Sequence, residues 1–224
     1  MLRAEAEWLA GQLARIPVSD LSPMLNVGSS TAHFRSVRQP WIHARVFAPL
    51  HERGGLVTHL DMKPDPGVDL TGDLMDPVFL QSLEQRGFRS VLCSNVLEHV
   101  PDRVSLSRRL QGLVPAGGYL LVTVPRRFPY HPDPIDTGFR PGVKELSALF
   151  PDLKVTVGEE VDAGSWRANL SRGLLEVIPR VLWVPLPFIR RRAWIANLTR
   201  LAWVGRRFSA TCVILRRPAD GSGS

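Results

Sequence analysis

The sequence predicts an α/β fold: a mostly parallel seven-stranded sheet with helices on both faces and a helical insertion before the last strand. Three observations predict it. From Leu21 to Pro125 short β-branched or apolar runs alternate with stretches of helical spacing, the pattern of βαβ units packed on both faces of a parallel sheet. Small and polar residues follow the first four strand candidates, at the carboxyl edge where such sheets bind ligands. With 44% apolar and 22% charged residues, the 224-residue chain has ordinary globular composition, so it can bury a core of this size.

The strand candidates in order are Pro23–Val27, Leu56–Asp61, Val68–Leu70, Ser90–Ser94, Gly118–Val124, Lys154–Gly158 and Ser209–Leu215. An amphipathic helix over Glu5–Ile16 caps the front, so residues 1–20 form one unit. Ile42, Val46, Phe47 and Leu50 share a helical face after Pro40, and Val104, Leu106, Leu110 and Leu113 form a second stripe. A Pro-rich loop after Pro125 leads to a helix near Val143–Phe150. The main domain thus comprises residues 21–165 and 209–217, with a basic, Trp-rich helical insertion at 166–208 and a Gly/Ser tail at 218–224.

Several classes are excluded by what is missing. Cys93 and Cys212 lie in apolar strand-like runs and suit small buried hydrophobes in a reducing compartment, so the chain is expected to be cytoplasmic. Charged residues interrupt Met1–Ile16, unlike a signal peptide. In the C-terminal third the longest uncharged apolar run is Val181–Ile189, broken by Pro185 and Pro187, against the ~20 residues of a spanning helix. The six histidines and two cysteines show no zinc-type spacing, so no metal site is expected. Neither G-x-S-x-G nor a P-loop is present.

Four elements converge on the carboxyl edge. Asn26-Val27-Gly28-Ser29-Ser30 is a strand followed by a turn of small residues, where backbone amides can approach a ligand closely. Asp61 ends the second strand, where a carboxylate in such sheets accepts hydrogen bonds from ribose hydroxyls. It lies 33 residues past Gly28 rather than the usual ~20, which implies an insertion near Thr31–Pro40. Val68-Asp69-Leu70-Thr71-Gly72-Asp73-Leu74 places a turn with carboxylates after the third strand. Cys93-Ser94-Asn95-Val96-Leu97-Glu98-His99-Val100-Pro101-Asp102 leaves the fourth strand toward a helix.

At these residues the chain resembles the class I S-adenosylmethionine-dependent methyltransferases, a Rossmann-like fold, and within them the branch related to the type 11 methyltransferase domain. Asn95–Val100 followed by Pro101-Asp102 is similar to that branch's motif after strand four. The Pro115-Ala116-Gly117-Gly118 turn before strand five and the segment Tyr130-His131-Pro132-Asp133-Pro134-Ile135-Asp136 with Arg140 are similar as well. The resemblance spans roughly residues 20 to 158 plus the last strand. It implies S-adenosyl-L-methionine as cofactor, with Gly28, Ser29 and Ser30 under its methionine and ribose part. It also implies Asp61 on the ribose, Asp73 and Leu74 beside the adenine, and Ser94 and Asn95 on the methionine side. Asn26 stands where an acid is usual and Ser30 where a second glycine is usual, so a non-catalytic interaction module built on the same fold stays open beside the enzyme.

Methyl transfer is an in-line displacement in which the protein aligns the acceptor and, for a hydroxyl or amine, removes a proton. His131 is the candidate general base and Asp136 its partner; a structural role, tying the loop down with Arg140, is the other reading of the same residues. His99, expected at a helix start, suits packing or capping.

The insertion carries the charge asymmetry. Nine arginines and one acid, Glu176, lie between Trp166 and Phe208, in a chain of net charge +7, together with four of the six tryptophans. The stripes Leu170, Leu174, Leu175, Ile178, Leu182 and Trp194, Ile195, Leu198, Leu201, Ala202 suit an anionic membrane surface, packing on the core, or a homodimer contact. Aromatics mixed with Leu and Ile on one face point away from a nucleic-acid platform, though an RNA methyltransferase remains a third reading. The expected partner is a small-molecule acceptor, lipid-linked or saccharide-type, met at the inner face of a membrane.

Overall fold

The computed structural model describes residues 1–131, 135–165 and 206–219. Its elements are α1 (Arg3–Leu13), α2 (Val18–Leu21), β1 (Met24–Val27), α3 (Pro40–Ile42), α4 (Ala48–Glu52), β2 (Val57–Asp61), β3 (Leu70–Thr71), α5 (Pro77–Glu84), β4 (Ser90–Ser94), α6 (Arg103–Gly112), β5 (Tyr119–Arg127), α7 (Val143–Ser147), β6 (Lys154–Ser165) and β7 (Arg207–Arg216). The strands form one sheet in the order β3-β2-β1-β4-β5-β7-β6. The β1, β2, β3, β4 and β5 pairs are parallel, and β7 runs antiparallel to both β5 and β6.

Alternation along the strands sends side chains to two cores. Leu25, Val27, Leu60, Val91, Cys93, Leu120, Val122 and Val213 pack with Leu80, Leu83, Leu106, Leu110 and Leu146 from α5, α6 and α7. On the opposite face Met24, Leu92, Leu121 and Ile214 meet Ala6, Leu9 and Leu13 of α1 and Ile42, Val46, Phe47 and Leu50. Each fully buried leucine contributes about 1.5–3 kcal/mol, and both faces of β1 are covered. Cys93 and Cys212 are buried free thiols, as their strand contexts suggested.

The structure redraws several expected boundaries. The long β1–β2 connection is helical, with π-helical turns at Phe34–Arg38 and His43–Phe47 between the α-helical pieces. The third strand sits at Leu70–Thr71, because Val68 N folds back onto Asp65 O and the Asp69 carboxylate takes the His59 amide. Helix α5 was not foreseen, although Asp76 caps it through Val78 N, Pro77 opens it and Leu80 and Leu83 face the core. Val104 is 49% exposed and leaves the stripe that Leu106 and Leu110 keep. Strand β6 continues to Ser165, paired along its length with β7, which starts at Arg207. The expected insertion, save Arg206–Phe208, lies outside the described residues, as do Asp133 and residues 220–224. Among the described residues no helix is long and apolar enough to cross a membrane.

Candidate active site

The turn after β1 is built from local constraints. Gly28 has φ +67°, and a Cβ there would overlap Val96 Cγ2, so only glycine fits. Ser30 also adopts a left-handed φ of +54°. The Ser29 amide donates to Leu60 O at 2.9 Å, and the Ser30 amide donates to Asp61 Oδ2 at 2.8 Å. Parallel pairing of β1 and β2 therefore brings the Gly28–Ser30 turn and Asp61 together. Arg35, which the sequence did not single out, locks this turn. Itself buried in an otherwise largely exposed π-helical turn, it donates through its guanidinium to Ser29 O, Ser30 O and Gly67 O at 2.9, 2.6 and 2.7 Å. Burial lowers its pKa, and the nearby Asp69 and Asp61 charges oppose that shift.

Asn26 is buried one residue before the strand's end and bonds His59 Nδ1 at 3.0 Å across the register pair Asn26–His59. The amide donates to the ring nitrogen, which requires a neutral imidazole. Burial first, then the Arg35 charge, pushes the His59 pKa down to about 4. Asp73 is exposed and closes a turn on Met75 N at 2.9 Å, while Leu74 is buried in the core beneath it.

Ser94 and Asn95 meet a partner absent from the motif reading. Glu5 of α1, only 1% exposed, accepts Ser94 Oγ at 3.0 Å, Asn95 Nδ2 at 2.8 Å and Thr123 Oγ1 at 2.5 Å through Oε1, and Leu2 N at 2.9 Å through Oε2. Asn95 reaches it with φ +53°. A carboxylate thus stands at the β4 exit, delivered by the N-terminal helix rather than by β1.

The exits of β4 and β5 form a second cluster. Glu98 is fully buried in a short 3₁₀ turn, Leu97–His99, and its two carboxylate oxygens have no hydrogen-bond partner among the described residues. Burial pushes its pKa up to about 8. His99 ends this turn, ahead of α6 rather than at a helix start, and its Nδ1 bonds Ile135 O. His131 Nδ1 lies 3.2 Å from Asp136 Oδ2 and 3.2 Å from Pro129 O. Asp136 is itself held by Arg140 at 2.6 and 3.1 Å and by the amides of His131 and Gly138 at 3.0 and 2.8 Å. Burial alone would raise its pKa, but those hydrogen bonds hold it at about 2. Burial lowers the pKa of His131, which favours the neutral ring. Asp136 thus ties the loop to Arg140 and lies beside the His131 ring.

No protein-family model matches the sequence, and no curated protein matches it significantly in sequence. Solved structures do match in fold. A protein assigned as a sarcosine dimethylglycine methyltransferase from Galdieria sulphuraria superposes with a TM-score of 0.59 at 13% identity, over 95% of this chain and 84% of that one. The MccD protein gives 0.53 at 13% identity over 94% and 97%, and the [4+2]-cyclase SpnF gives 0.51 at 16% over 95% and 81%. The fold is that of the class I methyltransferases. At such identities the likeness carries the fold and not the reaction, a distinction the cyclase among these structures makes concrete.

The residues present fit S-adenosylmethionine. An exposed glycine in the turn after β1 and a carboxylate at the end of β2 able to accept from a ribose diol match its ribose in chemistry, while the Glu5 carboxylate at the β4 exit is buried and already met by four donors.

Proposed function

We propose that the chain is an S-adenosylmethionine-dependent methyltransferase acting on a small-molecule acceptor. The observation that supports this most is the Asp61 carboxylate bonded to the Ser30 amide of the Gly28 turn, at the same sheet edge where His131 Nδ1 lies 3.2 Å from Asp136 Oδ2. Asp61 would hold the ribose, Gly28, Ser29 and Ser30 would pass under it, and Asp73 would border the adenine. Leu74 would lie beneath that site. Ser94 and Asn95 would line the methionine side, with Glu5 supplying the negative charge that Asn26 lacks. The bound cofactor supplies an electrophilic methyl group.

The remaining chemistry belongs to the chain's own groups. A backbone carbonyl or an ionised carboxylate can only accept, so either contact at His131 Nδ1 places the proton there and leaves Nε2 with its lone pair. His131 then takes the acceptor's proton at Nε2, and Asp136 positions the ring and favours the imidazolium that forms. The Arg140 bridge keeps Asp136 ionised throughout. Acceptors of lipid-linked or saccharide type, met at an anionic surface through residues 166–208, complete the reading; the arginine-rich, Trp-bearing sequence supports that part.

One observation favours a second reading. Glu5 already saturates the Ser94, Asn95 and Thr123 donors, which suits a non-catalytic interaction module that keeps the fold. Calorimetric titration with S-adenosylmethionine and S-adenosylhomocysteine separates the two. Micromolar binding weakened about tenfold or more in Asp61→Ala supports the enzyme, and acceptors are then screened free and in anionic vesicles. Absence of binding to a folded protein supports the module.

A further inference from the structure

We propose that Glu98, His99 and His131 form a binding site for a divalent transition metal of the zinc type. Glu98 and His99 come from the β4 exit and His131 from the β5 exit, and one ligand atom from each lies within 4.8 Å of the other two. His99 Nε2 stands 3.7 Å from Glu98 Oε1, and the two imidazoles meet nearly at right angles, 85°, with centroids 5.2 Å apart. Bonds of about 2.0–2.2 Å to a tetrahedral ion put ligand atoms roughly 3.3 Å apart, so closure asks for side-chain shifts on the order of 1 Å.

Three features go beyond proximity. First, both imidazoles are oriented by their other nitrogen: His99 Nδ1 on Ile135 O, and His131 Nδ1 beside Asp136 Oδ2 and Pro129 O. Carbonyl and carboxylate partners put the protons on Nδ1 and leave both Nε2 atoms as donors of an electron pair, the arrangement that orients metal-bound histidines. Second, the Glu98 carboxylate is 0% exposed and accepts no hydrogen bond, an expensive state for a buried polar group that a cation would relieve. Third, the loops are clamped together, since Thr137 donates its amide and its hydroxyl to Glu98 O at 2.9 and 3.0 Å. The positive charge of Arg140 is paired with Asp136.

Two imidazole nitrogens and one carboxylate oxygen select zinc, cobalt or nickel over magnesium or calcium, and leave a coordination position for water or an acceptor oxygen. The site stands on its own geometry. If the methyltransferase reading also holds, occupancy takes the Nε2 lone pair that would serve as base, so metal level would control the reaction.

The test uses the full chain stripped with chelator and without S-adenosylmethionine, so that it can fail independently of the cofactor titration. Zn²⁺ is titrated by calorimetry and Co²⁺ by visible absorption. Binding of one equivalent at micromolar affinity or tighter, weakened about tenfold or more in Glu98→Gln and in His99→Ala and unchanged in His43→Ala, supports the site. Glu98→Gln keeps the shape of the buried side chain, and circular dichroism checks its fold. No binding at micromolar metal, or binding indifferent to Glu98→Gln and His99→Ala, overturns the proposal.

Discussion

Two buried glutamates stand at one edge of the same sheet and are treated in opposite ways. Glu5, brought by the N-terminal helix, meets four donors from Leu2, Ser94, Asn95 and Thr123, and its charge is answered atom by atom. Glu98, three residues beyond Asn95, has none, and is held in place by its backbone carbonyl through Thr137. The difference separates what stabilises from what is kept ready. A satisfied buried carboxylate rigidifies its surroundings, whereas an unsatisfied one carries a cost that the rest of the fold must offset.

That contrast can be broken by mutation. A large effect is expected for Glu5→Ala, which strips the acceptor from two hydroxyls, a side-chain amide and a backbone amide and should cost about 2–4 kcal/mol in urea denaturation. A loss below about 1 kcal/mol would mean that the donors find other partners and that α1 is not pinned through its glutamate. Glu98→Gln in metal-free protein should change stability by less than about 1 kcal/mol, in either direction, since no hydrogen bond is lost and a neutral isostere replaces a group that burial already disfavours as an anion. A cost as large as that of Glu5→Ala would erase the distinction between the two sites.

A pH-dependent effect concerns His59, the strand partner of Asn26. Its folded pKa of about 4 lies below the ordinary value of about 6.5, so the unfolded chain binds the extra proton first as pH falls. The stability this histidine contributes is complete above about pH 6.5 and is lost as pH drops toward about 4. Denaturation midpoints measured between pH 7 and 4 should show that loss, and His59→Asn should flatten it. An NMR titration in which His59 protonates near pH 6.5 would remove the burial argument for the Asn26 pair.

Much of the sheet was legible in the chain. The strand at Ser90–Ser94 has the bounds its apolar run indicates, and Gly28 announced a turn that its positive φ and the Val96 contact require. Such features depend on neighbours in sequence or on a period that a strand or helix face imposes. The third strand slipped because a side chain, Asp69, competes for a backbone amide, which periodicity does not register. Helix α5 carried its cap and its Pro, signals that were there to be found.

The sequence by itself determined the α/β class, the alternation of strands and helices, and the presence of small residues and carboxylates at the strand exits. Tertiary structure alone decided which of them meet. Glu5 reaches Thr123 across 118 residues, Arg35 ties the β1 turn to Gly67, and His131 joins Glu98 and His99 although their spacing matches no metal motif. The reason is physical: local pattern records which face a residue takes, whereas contacts between separate strand exits follow from strand order, and that order is written in the packing of the whole sheet.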